Sequence, residues 1–534
     1  MRLVSVQDAV SIVRDGDLLL IGGSGGGHAV PEALIAGLQE RFAREGSPRQ
    51  ISLLHPVGLG DMQSQGVARL ADPVLLKRIV TGALVNTPPI QELAKRGQVE
   101  AYTLPQGSLS QLMREMAAGR PGLLSHVGLH TFVDPRYGGG RQSETAKEDL
   151  VELVELGGRE WLFYKPYRVD VAFLRGTTID EDGNVTMERE AVFGEMLSMA
   201  QATRNSGGVV IVQAARLAER HSLPPKEVKI PGMLVDLAVI VPDQAQTYRT
   251  SYNPSYAGEL RVPLSEIPVL PLDERKVMAR RAAMELFPGA VCNLGAGVST
   301  GIANIAAEEV FLDSIILTNE QGLIGGAPAS GVDAGAAFNY DAMIDQPYQF
   351  DFYDGGGLDL AFLSFAQAGL DGSVNVSRFN GRVIGVGGFQ NIAQNGRKVV
   401  FSGSFTAGGL RIDWSEERFN LLSEGKHPKF VEQLEQVSFN GRFAWENGQE
   451  VLFVTERAVF RLGEAGLELV EIAPGADLQR DVLDRMHFKP RVSPHLCEMD
   501  ARLFRPGTSG IGDLIRSRPR LNIPERLRAL EWNG

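Results

Sequence analysis

Asp15-Gly16-Asp17-Leu18-Leu19-Leu20-Ile21-Gly22-Gly23-Ser24-Gly25-Gly26-Gly27-His28 decides the fold. Four large aliphatic residues stand between acidic turn residues and a glycine run, which reads as a short buried strand. The strand enters a glycine turn, and the turn opens a helix over Val30–Phe42. The same signature returns as Pro288-Gly289-Ala290-Val291-Cys292-Asn293-Leu294-Gly295-Ala296-Gly297. Two further pairs of landmarks follow at nearly equal offsets. Asp182-Gly183-Asn184-Val185 is echoed by Asp371-Gly372-Ser373-Val374, and Asn205 through Val210 by Asn395 through Val400. The first pair is spaced more widely, so the first half carries an insertion between its landmarks. Two related halves are the consequence.

Further short apolar runs lie at Ile51–Leu54, Val171–Leu174, Val209–Val212 and Leu237–Val241. They alternate with helical stretches such as Ser108–Ala118, which argues for open α/β sheets with parallel strands and helices on both faces. A boundary falls in 243–272, rich in proline, serine and tyrosine and weak in periodicity. The predicted organisation is a first domain over 1–242, a linker over 243–272 and a second domain over 273–534.

Composition narrows the function classes. Of 534 residues, 43% are apolar and 22% charged, ordinary globular usage. The net charge of −12 gives no positive footprint for a phosphate backbone, so nucleic-acid binding is not expected. No run of 18 apolar residues occurs, so no membrane span is expected. Cys292 and Cys497 are far apart and in no ligand spacing, which fits a reducing, cytoplasmic setting. His126 and His130 stand four apart in a strand-like context, and no metal motif occurs. Neither glycine loop completes the G-x-G-x-x-G spacing of a dinucleotide site.

The segment of greatest chemical interest is Ile315-Ile316-Leu317-Thr318-Asn319-Glu320-Gln321-Gly322. A buried strand ends in a turn bearing one carboxylate, and ligands of open α/β sheets bind beyond the carboxyl ends of strands. Alone, a turn carboxylate is ordinarily a solvated one. Val386-Gly387-Gly388-Phe389 is a second glycine turn whose amides suit an oxyanion.

Taken together, these segments resemble the class I acyl-CoA transferases of the single-chain, fused type. The likeness is nearest to the acetate, propionate and acetate/3-ketoacid CoA-transferases, and more distant to succinyl-CoA:3-oxoacid CoA-transferase. Asn319-Glu320-Gln321-Gly322 matches the family's Ser-Glu-Asn-Gly-like motif at the glutamate and the glycine. The resemblance therefore implies Glu320 as nucleophile. It implies Gly387, Gly388 and the Gly295-Ala296-Gly297 loop as oxyanion or active-site loops. Pro105-Gln106-Gly107 matches the family's acyl-site Pro-Gln-Gly, which implies Gln106 in substrate binding. Gly23, Ser24 and Gly25 belong to the N-terminal signature, with Ser24 where phenylalanine is common.

The implied fold is two related open α/β domains with the active site between them. The implied activity is transfer of CoA from a short-chain acyl-CoA to a free carboxylic acid such as acetate, by a ping-pong route through a glutamyl-CoA thioester. That chemistry belongs to ketone-body and short-chain fatty acid metabolism. Coenzyme A enters as substrate, no metal or permanently bound cofactor is implied, and a homo-oligomer, dimer or tetramer, is. The alternatives are an acyl-CoA hydrolase on the same fold, a nicotinamide-dependent oxidoreductase, and a non-catalytic acyl-CoA sensor.

Overall fold

The computed structural model describes residues 1–524 and 527; the expected second domain ran to 534, and its last residues lie outside the described ones. Two large sheets organise the chain. The first contains β1 (Arg2–Leu3), β2 (Leu18–Ile21), β3 (Ile51–His55), β4 (Leu76–Thr81) and β5 (Glu100–Thr103). It is completed by β6 (Val171–Arg175), β7 (Val209–Ala214) and β8 (Leu237–Ile240). The second opens with β9 (Val291–Leu294), β10 (Ile316–Asn319), β11 (Leu323–Ile324), β12 (Ala342–Met343) and β13 (Leu360–Ser364). It continues with β14 (Lys398–Ser402), β15 (Glu450–Val454), β16 (Ala458–Gly463), β17 (Gly466–Ile472) and β18 (Arg491–Glu498).

The strand order in the first sheet is β1-β8-β7-β6-β2-β3-β4-β5, and every pairing is parallel. The second runs β12-β11-β10-β9-β13-β14-β15-β16-β17-β18. The run β8-β7-β6-β2-β3 therefore has its counterpart in β15-β14-β13-β9-β10, all parallel. The sequence repeat is a repeat of sheet topology.

Successive residues of these strands face opposite sides, as the pleat requires. Leu19, Ile21, Leu53 and Phe173 enter an apolar layer drawn almost wholly from the first half, which Val383 of the second half joins. Cys292, Leu317, Phe362 and Val400 enter the corresponding layer of the second. The intervening residues Leu20, Leu54, Leu174, Ala361, Leu363 and Phe401 face a central core that draws on both sheets. The two halves are thus packed face to face through a continuous apolar layer.

Helices α1 (Glu32–Glu45), α2 (Gln106–Ala117), α3 (Met196–Asn205), α4 (Gln346–Asp354) and α5 (Phe389–Asn395) cover the sheets. The predicted helix over Val30–Phe42 begins later, after Pro31, and ends at Gly46, which is left-handed and donates its N–H to Phe42. Between β8 and the second half, residues 241–272 form no strand, only a short 3₁₀ turn at Leu264–Glu266. They are nonetheless tied down. The Thr247 hydroxyl donates to Asp333 at 2.7 Å and the Tyr248 hydroxyl to Glu32 at 2.8 Å.

Candidate active site between the halves

β10 and β11 pair antiparallel, and the turn joining them carries Glu320 at the carboxyl end of the parallel strands. Gly322 closes that turn at φ +101°, and its N–H donates to the Asn319 carbonyl at 3.0 Å. A Cβ there would stand 2.0 Å from the Ile344 carbonyl oxygen, so only glycine fits. Asn319 braces the turn from both sides. Its Oδ1 accepts the Gln321 N–H at 3.0 Å, and its Nδ2 donates to the Gly335 carbonyl at 2.9 Å.

Three residues, Gly388, Gln321 and Gln106, converge on the Glu320 carboxylate. A Cβ built on Gly388 would lie 2.0 Å from Glu320 Oε2, so the carboxylate sits directly on the bare backbone of that residue. Gln321 Nε2 donates to Glu320 Oε1 at 3.3 Å. Burial pushes the Glu320 carboxyl up to about 7, against hydrogen bonds from Gln321 and Gln106 that pull it down. Gln106, fully buried, opens α2 and donates its backbone N–H to the Gly387 carbonyl at 2.9 Å. The first half also holds the glycine loop itself, because Val386 and Gly387 donate their N–H groups to the Gly82 carbonyl at 3.0 and 2.8 Å.

The other predicted residues stand further out. β9 and β10 are neighbours, with Asn293 level with Thr318, so Gly295 and Glu320, each two residues on, leave adjacent strands at the same edge. Gly297 lies beside Ser364, whose hydroxyl donates to the Ala296 carbonyl at 2.9 Å. The loop of Gly23, Ser24 and Gly25 reaches the Glu320 turn indirectly. His28 Nε2 bonds the Ala334 carbonyl at 3.1 Å, and a Cβ on the adjoining Gly335 would lie 3.8 Å from Gln321. The structure thus brings Glu320, Gln106, Gly387 and Gly388 into one cluster, with the other two glycine loops at its margins.

Two polar residues that the sequence reading did not single out, Gln346 and Glu195, lie close by. Gln106 Nε2 donates to Gln346 Oε1 at 3.4 Å, and Gln346 Nε2 to Glu195 Oε1 at 3.2 Å. Asp354, pushed up to about 7 by burial, accepts from Gln111 across the interface of the halves and from Asn391 within its own half. A polar residue inside an apolar stretch, such as Glu195 between Phe193 and Met196, was the available signal. The expectation that His126 and His130 occupy a strand is corrected: they lie in a turn after Leu123–Ser125, where Gly128 donates its N–H to Gln394. His126 bonds Asn395 at 2.6 Å and His130 rests on the Phe443 ring. Among the described residues no group of three His, Cys, Asp or Glu side chains is placed to hold a metal ion. No helix among them is long and apolar enough to cross a membrane.

The family profile described as Coenzyme A transferase matches residues 3–240. Acetate CoA-transferase YdiF of Escherichia coli (strain K12) is 43% identical over 509 residues, covering 95% of this chain and 96% of that protein. Caffeate CoA-transferase of Acetobacterium woodii is 43% identical over 522 residues, covering 96% and 99%. The crystal structure of the acyl-CoA transferase YdiF apoenzyme from Escherichia coli O157:H7 superposes with a TM-score of 0.91 at 42% identity, covering 95% and 97% of the two chains.

Proposed function

The chain belongs to the coenzyme A transferase family, and from that premise we propose that it moves CoA from a short-chain acyl-CoA to a free carboxylic acid such as acetate, with Glu320 as the covalent relay. The reading rests on one observation above others: a partly desolvated carboxylate lies on the bare backbone of Gly388 while the Gln106 amide faces it. The relatives give no support to the hydrolase or oxidoreductase alternatives.

Glu320 attacks the thioester carbonyl, the carbon–sulfur bond breaks, and CoA leaves as a thiolate while the acyl group stays on Glu320 as a mixed anhydride. The thiolate then attacks the glutamyl carbonyl and expels the donor acid, leaving a glutamyl-CoA thioester. An acceptor carboxylate runs the same steps in reverse. Each covalent state retains the energy of the thioester, so neither ATP nor a metal takes part. The Gly388 N–H, which makes no hydrogen bond among the described residues, is available to the oxyanions that develop. Gln106 orients the acyl group, and Gly295, Ala296 and Gly297 line the approach at the adjacent strand end. Gly23, Ser24 and Gly25 close the far side. Exclusion of water keeps the anhydride from hydrolysing.

In this reading residues 1–242 and 273–534 are the two domains, joined through 243–272. The enzyme works in the cytoplasm as a homo-oligomer on substrates that carry their own CoA, with no resident cofactor. Incubation with acyl-CoA and no acceptor should leave a CoA adduct on Glu320, read by intact-protein and peptide mass spectrometry. Parallel initial-rate plots should accompany it. Intersecting plots with no adduct would refute the covalent route. Light scattering that shows a monomer at micromolar concentration would refute the oligomer.

A further inference from the structure

A file of buried side chains runs away from Glu320 into the interface between the halves. Gln106 faces the carboxylate and donates its Nε2 to Gln346 Oε1 at 3.4 Å. The Gln346 amide turns its nitrogen the other way, donating to Glu195 Oε1 at 3.2 Å and to the Ser110 hydroxyl at 3.3 Å. Gln106, Gln346 and Glu195 are each at most 2% exposed. They come from α2, α4 and the residue that precedes α3, so three helices meet at this file. Gln346 is also pinned by its backbone, whose N–H donates to the Gly194 carbonyl at 2.9 Å.

The order of donors and acceptors in this file has a direction. A primary amide in a buried site can present either its oxygen or its nitrogen to a neighbour, and the neighbour's chemistry decides which. The Glu195 oxygen accepts, so the Gln346 nitrogen turns toward it and the Gln346 oxygen turns toward Gln106. That oxygen fixes the Gln106 nitrogen toward itself and toward Glu320. Were the Gln106 amide reversed, its oxygen would face the Gln346 oxygen and the Glu320 carboxylate at once, two repulsions in a water-poor site.

We propose that Glu195 is a positioning residue for CoA transfer, which acts through Gln346 to hold the Gln106 amide with its nitrogen toward the Glu320 carboxylate. The proposal rests on the reading of Glu320 as the nucleophile. Glu195 touches neither Glu320 nor, in that reading, substrate. Burial raises the Glu195 carboxyl to about 8, opposed by a hydrogen bond from Ser110, so near neutrality the file needs only its accepting oxygen and not its charge.

That requirement separates positioning from simple packing. Glu195→Gln keeps an accepting oxygen and should stay within about threefold of the wild-type kcat. Glu195→Leu keeps the volume and loses the acceptor. It should lose roughly 10- to 100-fold in kcat, the scale of an ångström's misplacement at the reacting centre, with KM for acyl-CoA within about threefold. The double variant Glu195→Leu/Gln106→Ala should be no slower than Gln106→Ala alone, because both changes disable the same amide. Thermal unfolding of each variant reports folding separately. If Glu195→Leu fails to fold, Gln346→Leu takes its place in the same cycle.

Wild-type turnover in the Leu variant, additive losses in the double variant, or a Gln variant as slow as the Leu variant would each overturn the proposal. The CoA adduct on wild-type Glu320 is measured in the same series. If it forms and the cycle is additive, only the Glu195 proposal fails. If it does not form, the transfer reading and this proposal fail together.

Discussion

The first half of the chain and the second lay down five strands in the same order, then part company at both ends of that run. Beyond β8 the first half has only the parallel β1, where beyond β15 the second adds the antiparallel β16. The other end bears on the site. After β3 the first half goes on to a further parallel strand, β4, whereas after β10 the second half turns back on itself into β11. The register makes the comparison exact to the residue. Leu20 lies level with Leu54, and Asn293, its counterpart in the repeat, lies level with Thr318. Two residues further on, the first half has Pro56 and the second has Glu320. Pro56 offers only a carbonyl there, and the Gly82 N–H takes it at 3.0 Å. Gly82 in turn accepts from Val386 and Gly387, the loop against which Glu320 rests. One half spends the position on chemistry, and its twin spends it on building the wall that the chemistry faces. Duplicated sheets give two equivalent crevices, and the asymmetry of a single turn makes one of them an active site.

The strongest way to break this comparison is to remove the carboxylate. Glu320→Ala should abolish transfer, and Glu320→Asp should retain about one part in a hundred, since a methylene shortens the reach by about an ångström. Placing a carboxylate at the twin position, as Glu320→Ala/Pro56→Glu, should restore nothing, because the Gly82 N–H beside it is already taken by the carbonyl of residue 56, whereas the Gly388 N–H makes no hydrogen bond among the described residues. Recovery of CoA transfer in that double variant, measured by initial rates, would show that the halves are functionally interchangeable. The next largest effect belongs to the wall. Gly388→Val should cost about 10²–10³ in turnover while the protein stays folded. The new Cβ meets the far end of the Glu320 side chain and, at 3.2 Å, the tip of the Phe350 ring, with no backbone among its nearest neighbours, so side chains give way and the fold does not. Normal turnover in a folded Gly388→Val protein would reduce Gly388 to a turn residue.

A subtler test uses the proton. Burial holds the Glu320 carboxyl at about 7, and only the ionised form attacks a thioester. A raised carboxyl pKa means that protonation begins near neutrality, so kcat/KM for acyl-CoA should fall as pH drops through about 7 and level off above it. In the limb below, each unit of pH should cost about tenfold. A profile that stays flat down to pH 5 would place the carboxylate in a solvated setting instead.

What could be read beforehand divides along physical lines. The strands were legible because a strand buried on both faces has to be a continuous aliphatic run, as Leu18–Ile21 and Val209–Val212 are. The turn at Glu320 drew attention as a carboxylate beyond a buried strand, but its proposed role came from family resemblance, since nothing local distinguishes it from a solvated one. The wall was not legible as a wall. Gly82, Gln346 and Glu195 meet the site through single hydrogen bonds between residues far apart in sequence, Gln106 and Gln346 among them. Such bonds leave no periodic trace, because either partner alone is an ordinary polar residue. The face-to-face packing was hidden too, as Leu20 and Leu19 look alike in sequence although one enters the central core that both sheets share and the other the layer on the opposite face of the first sheet.

The smallest effect probes the seam itself. Arg114 on α2 and Asp351 on α4 form a two-bonded ion pair across the halves, at 2.7 and 2.6 Å. Each side chain is partly open to water, 27% and 42% exposed, so solvent screens the pair and its loss should cost only about 0.2–1 kcal/mol. The seam has a far larger source of cohesion in the apolar core that both sheets share, where burial contributes about 25 cal/mol per Å². Arg114→Ala should therefore lower the midpoint of thermal unfolding by a few degrees at most, less in high salt, and leave one cooperative transition. A second transition in calorimetry, with the halves melting separately, would mean that the ion pair rather than the shared core couples them. In that case the two crevices would be free to move against each other, and the fixed wall facing Glu320 would no longer follow from the fold.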